Sequence, residues 1–152
     1  MLTGLLNRFF KKEGLPPMSQ SQREALVDAL VFAIMADGEF AEQERVALNE
    51  ALANLEWDGN RELYITEAIG KVGQNKASAD HALAHCRDIA ARLETQQLRE
   101  ETYALAARLV CADGEVVDAE RGLMTFFIQT FNIDSQRAVE LSARAHKEYN
   151  LL

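Results

Sequence analysis

Two copies of one acidic segment indicate the fold: ADGEFAEQER at residues 36–45 and ADGEVVDAER at residues 112–121. Six of the ten positions are identical, and Glu42 of the first copy is replaced by the chemically similar Asp118 in the second. Apolar residues recur with helical spacing before and after each copy. The repeated unit is therefore predicted to be helix–loop–helix, and its presence twice predicts a duplicated architecture.

Capping and stop signals divide the rest of the chain into further helices. The S-x-x-E pattern of Ser21 and Glu24 predicts a helix start, and Asp37-Gly38 predicts the end of that helix. Ser78 and Asp134 are predicted to cap two later helices. The third helix is predicted to start after a turn at residues 57–60, end near Gly73 and bury Leu63, Tyr64, Ala68 and Ile69. No segment alternates with period two for long enough to predict a strand. The fold class is therefore all-α, a single-domain helical bundle of about seven helices.

The first residues form a separate amphipathic segment. Its apolar stripe has helical spacing, with Asn7, Arg8, Lys11 and Lys12 on the opposite side. The stripe consists of Leu2, Leu5, Leu6, Phe9 and Phe10. Gly14 and the Pro16-Pro17 pair end this helix. Residues 1–18 are therefore read as an N-terminal arm and linker, and residues 19–152 as the helical domain.

Composition and charge exclude several classes of protein. A chain of 152 residues with 48% hydrophobic residues suits one globular domain rather than a disordered segment. The net charge of −8 argues against nucleic-acid binding, which needs a basic face to displace counterions from phosphates. Cys86 and Cys111 lack the spacing of a disulfide framework or zinc site. With neither a signal-peptide pattern nor a membrane-span pattern, a cytoplasmic protein is expected.

The acidic segments place carboxylates where a helix does not favour them. Asp37 and Asp113 follow a predicted helix C-terminus, which is the negative end of the helix dipole. Glu39 and Glu115 add a second charge two residues later. A hard divalent cation, Ca²⁺ or Mg²⁺, would relieve the repulsion because it prefers oxygen ligands. Gly38 and Gly114 would position the loops. The predicted metal ligands are Asp37, Glu39 and Glu44 in one site, and Asp113, Glu115 and Glu120 in the other.

The same residues also fit two ordinary helix turns that bind no metal. Glu44 and Glu120 stand where a carboxylate can accept a hydrogen bond from the first backbone N–H of a helix. Glu42 with Arg45, and Asp118 with Arg121, are oppositely charged pairs at i, i+3 spacing. The EF-hand pattern is absent, and each loop is too short to surround an ion alone.

The two segments and the later Phe131-Asn132-Ile133-Asp134 resemble the TerB-like family of tellurite-resistance proteins. The resemblance extends from Ser21 to about Tyr149. It implies an all-helical fold, acidic clusters that hold divalent metal, and a stress-linked cytoplasmic role. The chain departs from the family at Ala41 and Val117, where relatives carry Ser or Asp, and this would leave Glu44 and Glu120 freer to take another ligand.

Sequence motifs for catalysis are missing, so the chain is predicted not to be an enzyme. His81 and His85, one turn apart and beside Cys86, form a minor candidate for zinc. The leading function is a non-enzymatic stress-response domain with cation-binding loops and a protein partner. One alternative is a metal-independent adaptor that uses its acidic surface. Another is a peripheral membrane scaffold attached through residues 2–12, since the arm fits the bundle, a second protomer in a homodimer, or an anionic membrane.

Overall fold

The fold is that of a helical bundle. The computed structural model describes residues 17–35, 41–53, 55–75, 78–110 and 118–149, together with Gly4 and Arg8. Within these ranges the chain forms seven helices and no strand, which confirms the all-α prediction. The helices are α1 (Gln20–Ile34), α2 (Glu42–Leu52), α3 (Arg61–Asn75), α4 (Ala79–Leu93), α5 (Gln96–Val110), α6 (Asp118–Thr130) and α7 (Ser135–Tyr149). Most of the arm lies outside the described residues.

Helix α1 occupies the centre of the bundle. It packs against α3, α4 and α5, and every residue from Ala25 to Met35 is buried. The sequence accounts for this position, because its apolar residues cover the whole circumference rather than one stripe. None of the helices in the described ranges combines the length and apolar character that crossing a membrane requires.

The start of α1 corrects one prediction. The N-cap is Ser19 rather than Ser21: the Ser19 hydroxyl accepts from the Gln22 backbone N–H at 3.2 Å, and Gln22 Oε1 accepts from the Ser19 N–H at 2.8 Å. Glutamine serves in this reciprocal box as well as glutamate. The earlier frame also lets the Gln22 amide donate to the Leu93 carbonyl at 3.0 Å, which ties α1 to the end of α4.

Helix α3 corrects a second prediction. Leu63 is 54% exposed, and the fully buried positions are instead Ile65, Ala68 and Val72. These three follow the i, i+3, i+7 spacing of a core-facing stripe. The sequence offers overlapping apolar stripes on this helix, and packing against α1 selects the one that contains Ile65.

The other cap predictions are confirmed. Ser78 Oγ accepts from the His81 N–H at 3.4 Å, and Asp134 Oδ1 accepts from the Arg137 N–H at 2.8 Å. Gly59 adopts a φ of +95° in the turn before α3, a conformation that glycine reaches without strain. Local signals therefore place these helix boundaries correctly.

Aromatic packing joins the two ends of the chain into one core. Phe127 and Phe131 on α6 are fully buried, as their predicted helical face requires. The Phe127 ring centroid lies 4.9 Å from that of Phe131 and 5.9 Å from that of Phe32 on α1. The central helix and α6 thus share one hydrophobic core.

Candidate functional site

The acidic segments occupy equivalent connections in two structural units. Helices α5 and α6 each begin 76 residues after a counterpart, as Gln96 follows Gln20 and Asp118 follows Glu42. Each unit thus has a 15-residue helix, a seven-residue connection and a second helix. The third helix of each unit, α3 or α7, packs on the first, and α1 packs against α5. The duplication found in ten residues therefore extends over two three-helix units joined by α4.

The starts of α1 and α5 are also equivalent. Thr95 stands 76 residues after Ser19, and its hydroxyl accepts from the Leu98 backbone N–H at 3.1 Å. The two first helices therefore carry the same kind of hydroxyl cap. This agreement lies far from the acidic segments and supports a duplication of the whole unit.

The predicted ligands fall largely outside the described residues. Four of them lie there together with Gly38 and Gly114: Asp37, Glu39, Asp113 and Glu115. Glu120 lies in α6, of which the structure describes the backbone at this position. Glu44 in the first turn of α2 is thus the one predicted ligand with a described side chain.

Glu44 caps its own helix. Its Oε1 accepts from the Ala41 backbone N–H at 3.0 Å, which is the glutamate half of a capping box. Ala41 has no side-chain oxygen, so the other half of the box is missing. The loss of that half was predicted to leave Glu44 freer for another ligand, and for Oε1 this is wrong because the local backbone donor engages it.

Charge around the start of α2 is partly compensated. The Glu42 carboxylate lies 3.6 Å from Arg45 Nε, which confirms the predicted i, i+3 pair. Arg45 also donates to Thr66 Oγ1 on α3 at 2.6 Å. The Glu42 carboxylate is 81% exposed, so this pair contributes little to stability. Across the ranges that the structure describes, no three acidic, histidine or cysteine side chains meet in a way that could hold a metal ion.

A buried polar cluster that the sequence reading missed lies between α1, α3 and α4. Asp28 is 1% exposed and forms a hydrogen-bonded ion pair with Arg92 Nη2. The Tyr64 hydroxyl lies 3.1 Å from each Asp28 carboxylate oxygen. Arg92 Nη2 also lies 2.8 Å from Oδ2 of the half-exposed Asp88. Each partner of Asp28 comes from a different helix, so the cluster ties three helices together.

The electrostatics of this cluster follow from burial and charge. Burial raises the pKa of Tyr64, and the neighbouring Asp28 charge raises it further. For Arg92, burial alone would lower the pKa, but its hydrogen bonds and charge interactions with Asp28 and Asp88 raise it overall. The tyrosine therefore remains a neutral donor and the arginine a cation. A buried carboxylate with both kinds of partner is compensated in place.

One sequence signal could have revealed the cluster. Asp28 is the single charged residue in the run from Ala25 to Met35, where all others are apolar. A charge on a wholly buried helix requires a partner of opposite charge. The identity of that partner does not follow from the sequence, because Tyr64 and Arg92 are 36 and 64 residues away.

The histidine pair on α4 is split between two environments. His81 is exposed, whereas His85 is 6% exposed and stacks on Phe32 at 5.5 Å. Burial lowers the pKa of His85, and its Nε2 has no hydrogen-bond partner among the described atoms. Burial also raises the pKa of Cys86 to about 12, which disfavours the thiolate that zinc needs. These observations count against zinc on this helix face.

Taken together, the described residues define an all-α bundle with duplicated units, a compensated buried ion pair and acidic connections. No protein-family model, curated protein or solved structure matches this chain. What it does is therefore argued from its residues and their placement.

Proposed function

We propose that this chain is a non-enzymatic binding module of the TerB-like type, in which each acidic connection holds a divalent cation, Ca²⁺ or Mg²⁺. The observation that carries the proposal is the placement of both acidic segments in equivalent connections of two duplicated units. A stretch that merely linked two helices would need neither the same length nor the same acidic residues in both units. Six identities in ten positions support a shared purpose.

The helix ends support a cation rather than an anion. Helix α1 ends at Ile34 and α5 at Val110, so Asp37 and Asp113 each follow a helix C-terminus. The partial negative charge of the helix end adds to that of the carboxylates. A divalent cation with oxygen ligands offsets both.

Glu44 keeps a role in this proposal. Its Oε1 is engaged by the Ala41 N–H, and Oε2 is the oxygen left for an ion shared with Asp37 and Glu39. The proposed mechanism is that the cation relieves carboxylate repulsion and orders the connections. An ordered acidic connection then binds a protein partner with altered affinity, in the stress-linked cytoplasmic role that the family resemblance implies.

Calorimetric titration of metal-stripped protein tests the proposal. We expect saturable binding of Ca²⁺ or Mg²⁺ with a stoichiometry approaching two, because there are two equivalent connections. Asp37→Asn should remove one of the two equivalents, and Asp37→Asn with Asp113→Asn should remove both. Asp88→Asn, which neutralises a carboxylate outside the acidic segments, is the matched control and should leave the stoichiometry unchanged. Absence of heat with each of Ca²⁺, Mg²⁺, Mn²⁺ and Zn²⁺ would refute the proposal.

A second candidate, an adaptor that uses its acidic surface without metal, is favoured by one observation. Glu42 and Glu44 already have protein partners in Arg45 and the Ala41 N–H. This candidate predicts that a basic test protein binds the chain, that salt weakens the complex and that chelator leaves it unchanged. Under the cation proposal, chelator should change the affinity.

A further inference from the structure

Two exposed apolar side chains interrupt an acidic surface on α2 and α3. Val46 is 46% exposed and Leu63 is 54% exposed. Val46 stands one turn from Glu42 and from Glu50, and Leu63 stands one turn from Glu67; all three glutamates are exposed. Apolar residues framed by like charges are typical of a surface that another chain segment covers.

Both apolar side chains lie on the same side of the helix pair. Arg45 Nη1 donates to Thr66 Oγ1 at 2.6 Å, and Asn49 Nδ2 donates to Glu62 Oε1 at 3.1 Å, so the two helices run antiparallel. Val46 follows Arg45 by one residue and Leu63 follows Glu62 by one. In an antiparallel pair, one residue of advance turns both side chains toward the same side. That side faces away from buried Leu48 and Ile65, and we call it the acidic outer face, comprising Val46, Leu63, Glu42, Glu50 and Glu67.

The described chain begins next to this face. Gln20 Oε1 accepts from the Asp58 backbone N–H at 3.0 Å, and Arg23 donates to the Met18 carbonyl at 2.7 Å. The start of α1 therefore lies against the turn that precedes α3. The residues before Pro17 enter the bundle five residues short of Leu63 in the sequence of the neighbouring helix.

The arm has the composition that matches the acidic outer face. Its apolar stripe of leucines and phenylalanines is accompanied by Arg8, Lys11 and Lys12. Gly4 and Arg8, four residues apart, are both helical, as the predicted amphipathic helix requires. Apolar residues would meet Val46 and Leu63 while the basic residues meet the glutamates.

We propose that the N-terminal arm, residues 2–12, docks on the acidic outer face of the same molecule. The reach is sufficient, because residues 13–16 span at most about 14 Å when extended. A helix of residues 2–12 is about 16 Å long, comparable with the length of α2. The arm then acts as an internal cover of the first unit.

The second unit does not offer an equivalent face. Val139 on α7, 76 residues after Leu63, is 69% exposed. The residues one turn away from it include no acid: Ser135, Gln136, Ser142 and Ala143. The adjacent Glu140 is paired with Arg137 at 3.2 Å. A basic arm is therefore matched by the first unit and not by the second.

Photocrosslinking of the full chain tests the proposal. A photoreactive benzoylphenylalanine in place of Phe9, irradiated in dilute solution, should give a product of monomer mass. Proteolysis and mass spectrometry should place the crosslink in residues 42–53 or 61–70. A second probe in place of Leu6, on the same stripe, keeps the test valid if the first substitution perturbs the arm.

Matched substitutions on the two units give the control. Leu63→Lys removes the apolar contact and adds repulsion, and we expect about a tenfold loss of crosslinked product. Val139→Lys, at the equivalent exposed position, should leave the yield unchanged.

Each other outcome overturns the proposal. A crosslink on another helix would place the arm elsewhere, and a product of dimer mass would assign it to a second copy. A crosslink that forms with lipid only, in phosphatidylcholine–phosphatidylserine vesicles, would assign the arm to a membrane. Absence of any crosslink with both probes would show that the arm does not dock.

Discussion

Asp28 brings a full charge into the centre of the bundle, and its two partners offset the cost of burying it. Arg92 supplies the opposite charge, and the Tyr64 hydroxyl supplies a neutral hydrogen bond. Such a pair adds little net stability compared with apolar residues of the same size. Removing one partner is much more damaging, because it leaves the other charge buried without compensation.

The first prediction concerns this ion pair. Arg92→Leu should lower the free energy of unfolding by about 3 kcal/mol, because the Asp28 carboxylate stays in the core without its cation. Asp88→Asn removes the other, half-exposed partner of Arg92 and should cost less than about 1 kcal/mol. Urea denaturation measures both. Equal effects of the two substitutions would contradict the assignment of Asp28 as the main partner.

The second prediction concerns His85 and pH. Burial lowers the pKa of His85 in the folded protein, so the unfolded chain, with a pKa of about 6.5, binds a proton more readily. Stability should therefore fall as the pH drops below about 6.5, with a slope from this residue of at most about 1.4 kcal/mol per pH unit. Asp28 on α1, Lys71 on α3, and Arg92 and Asp88 on α4 are the charged groups that influence it.

Urea denaturation from pH 7.5 to 5 checks this dependence. His85→Leu should flatten the acid limb of the stability curve, whereas His81→Leu, at an exposed position on the same helix, should leave it in place. Identical curves for the two variants would show that His85 is not the residue responsible.

At the scale of the helices, the caps decide where each element begins. The reciprocal bonds of Ser19 and Gln22 start α1, and the link from Gln22 to Leu93 fixes that start against α4. Ser21 lies one residue inside the helix and is exposed. The two serines are therefore a natural pair for comparison.

The third prediction uses this pair. Ser19→Ala should lower the free energy of unfolding by about 1 kcal/mol, because one backbone N–H at the helix start loses its acceptor. Ser21→Ala should be neutral or slightly stabilising, because alanine has the higher helix propensity. Midpoints of urea denaturation with an unchanged m-value would report the difference. The reverse order would restore Ser21 as the cap.

Local chemistry explains which parts of the fold could be predicted. Ser78 and Asp134 were identified as caps from their own sequence neighbourhoods, and the structure confirms both. The wrong choices, Ser21 as a cap and Leu63 as a core residue, arose where two local patterns overlap. In each case a contact with a distant helix selects between them, and a single sequence does not contain that contact.

The buried cluster shows why the rest could not be predicted. Asp28 signals that a counter-charge is needed, but many arginines and lysines in the chain could supply it. Only the crossing of α1, α3 and α4 places Tyr64 and Arg92 beside it. The metal ligands remain a prediction, because the one with a described side chain, Glu44, is engaged in a helix cap.

At the scale of the whole molecule, the duplication governs the architecture. Helices α1 and α5 pack against each other as the first helices of two units, and each leads into an acidic connection of the same length. The units differ inside: Asp28 of the first unit corresponds to Ala104 of the second. The repeated exterior feature is thus the acidic segment, while the interior has diverged.

Thermal unfolding of metal-stripped protein with and without Ca²⁺ or Mg²⁺ tests the cation-binding claim most directly. At about one hundred times the dissociation constant, one bound ion adds about 2.7 kcal/mol, which for a chain of this size raises Tm by about 5–10 °C. The account predicts this rise for the natural chain and for Asp88→Asn, and its loss in Asp37→Asn with Asp113→Asn. An unchanged Tm at saturating cation, or the same rise in the double variant, would contradict it.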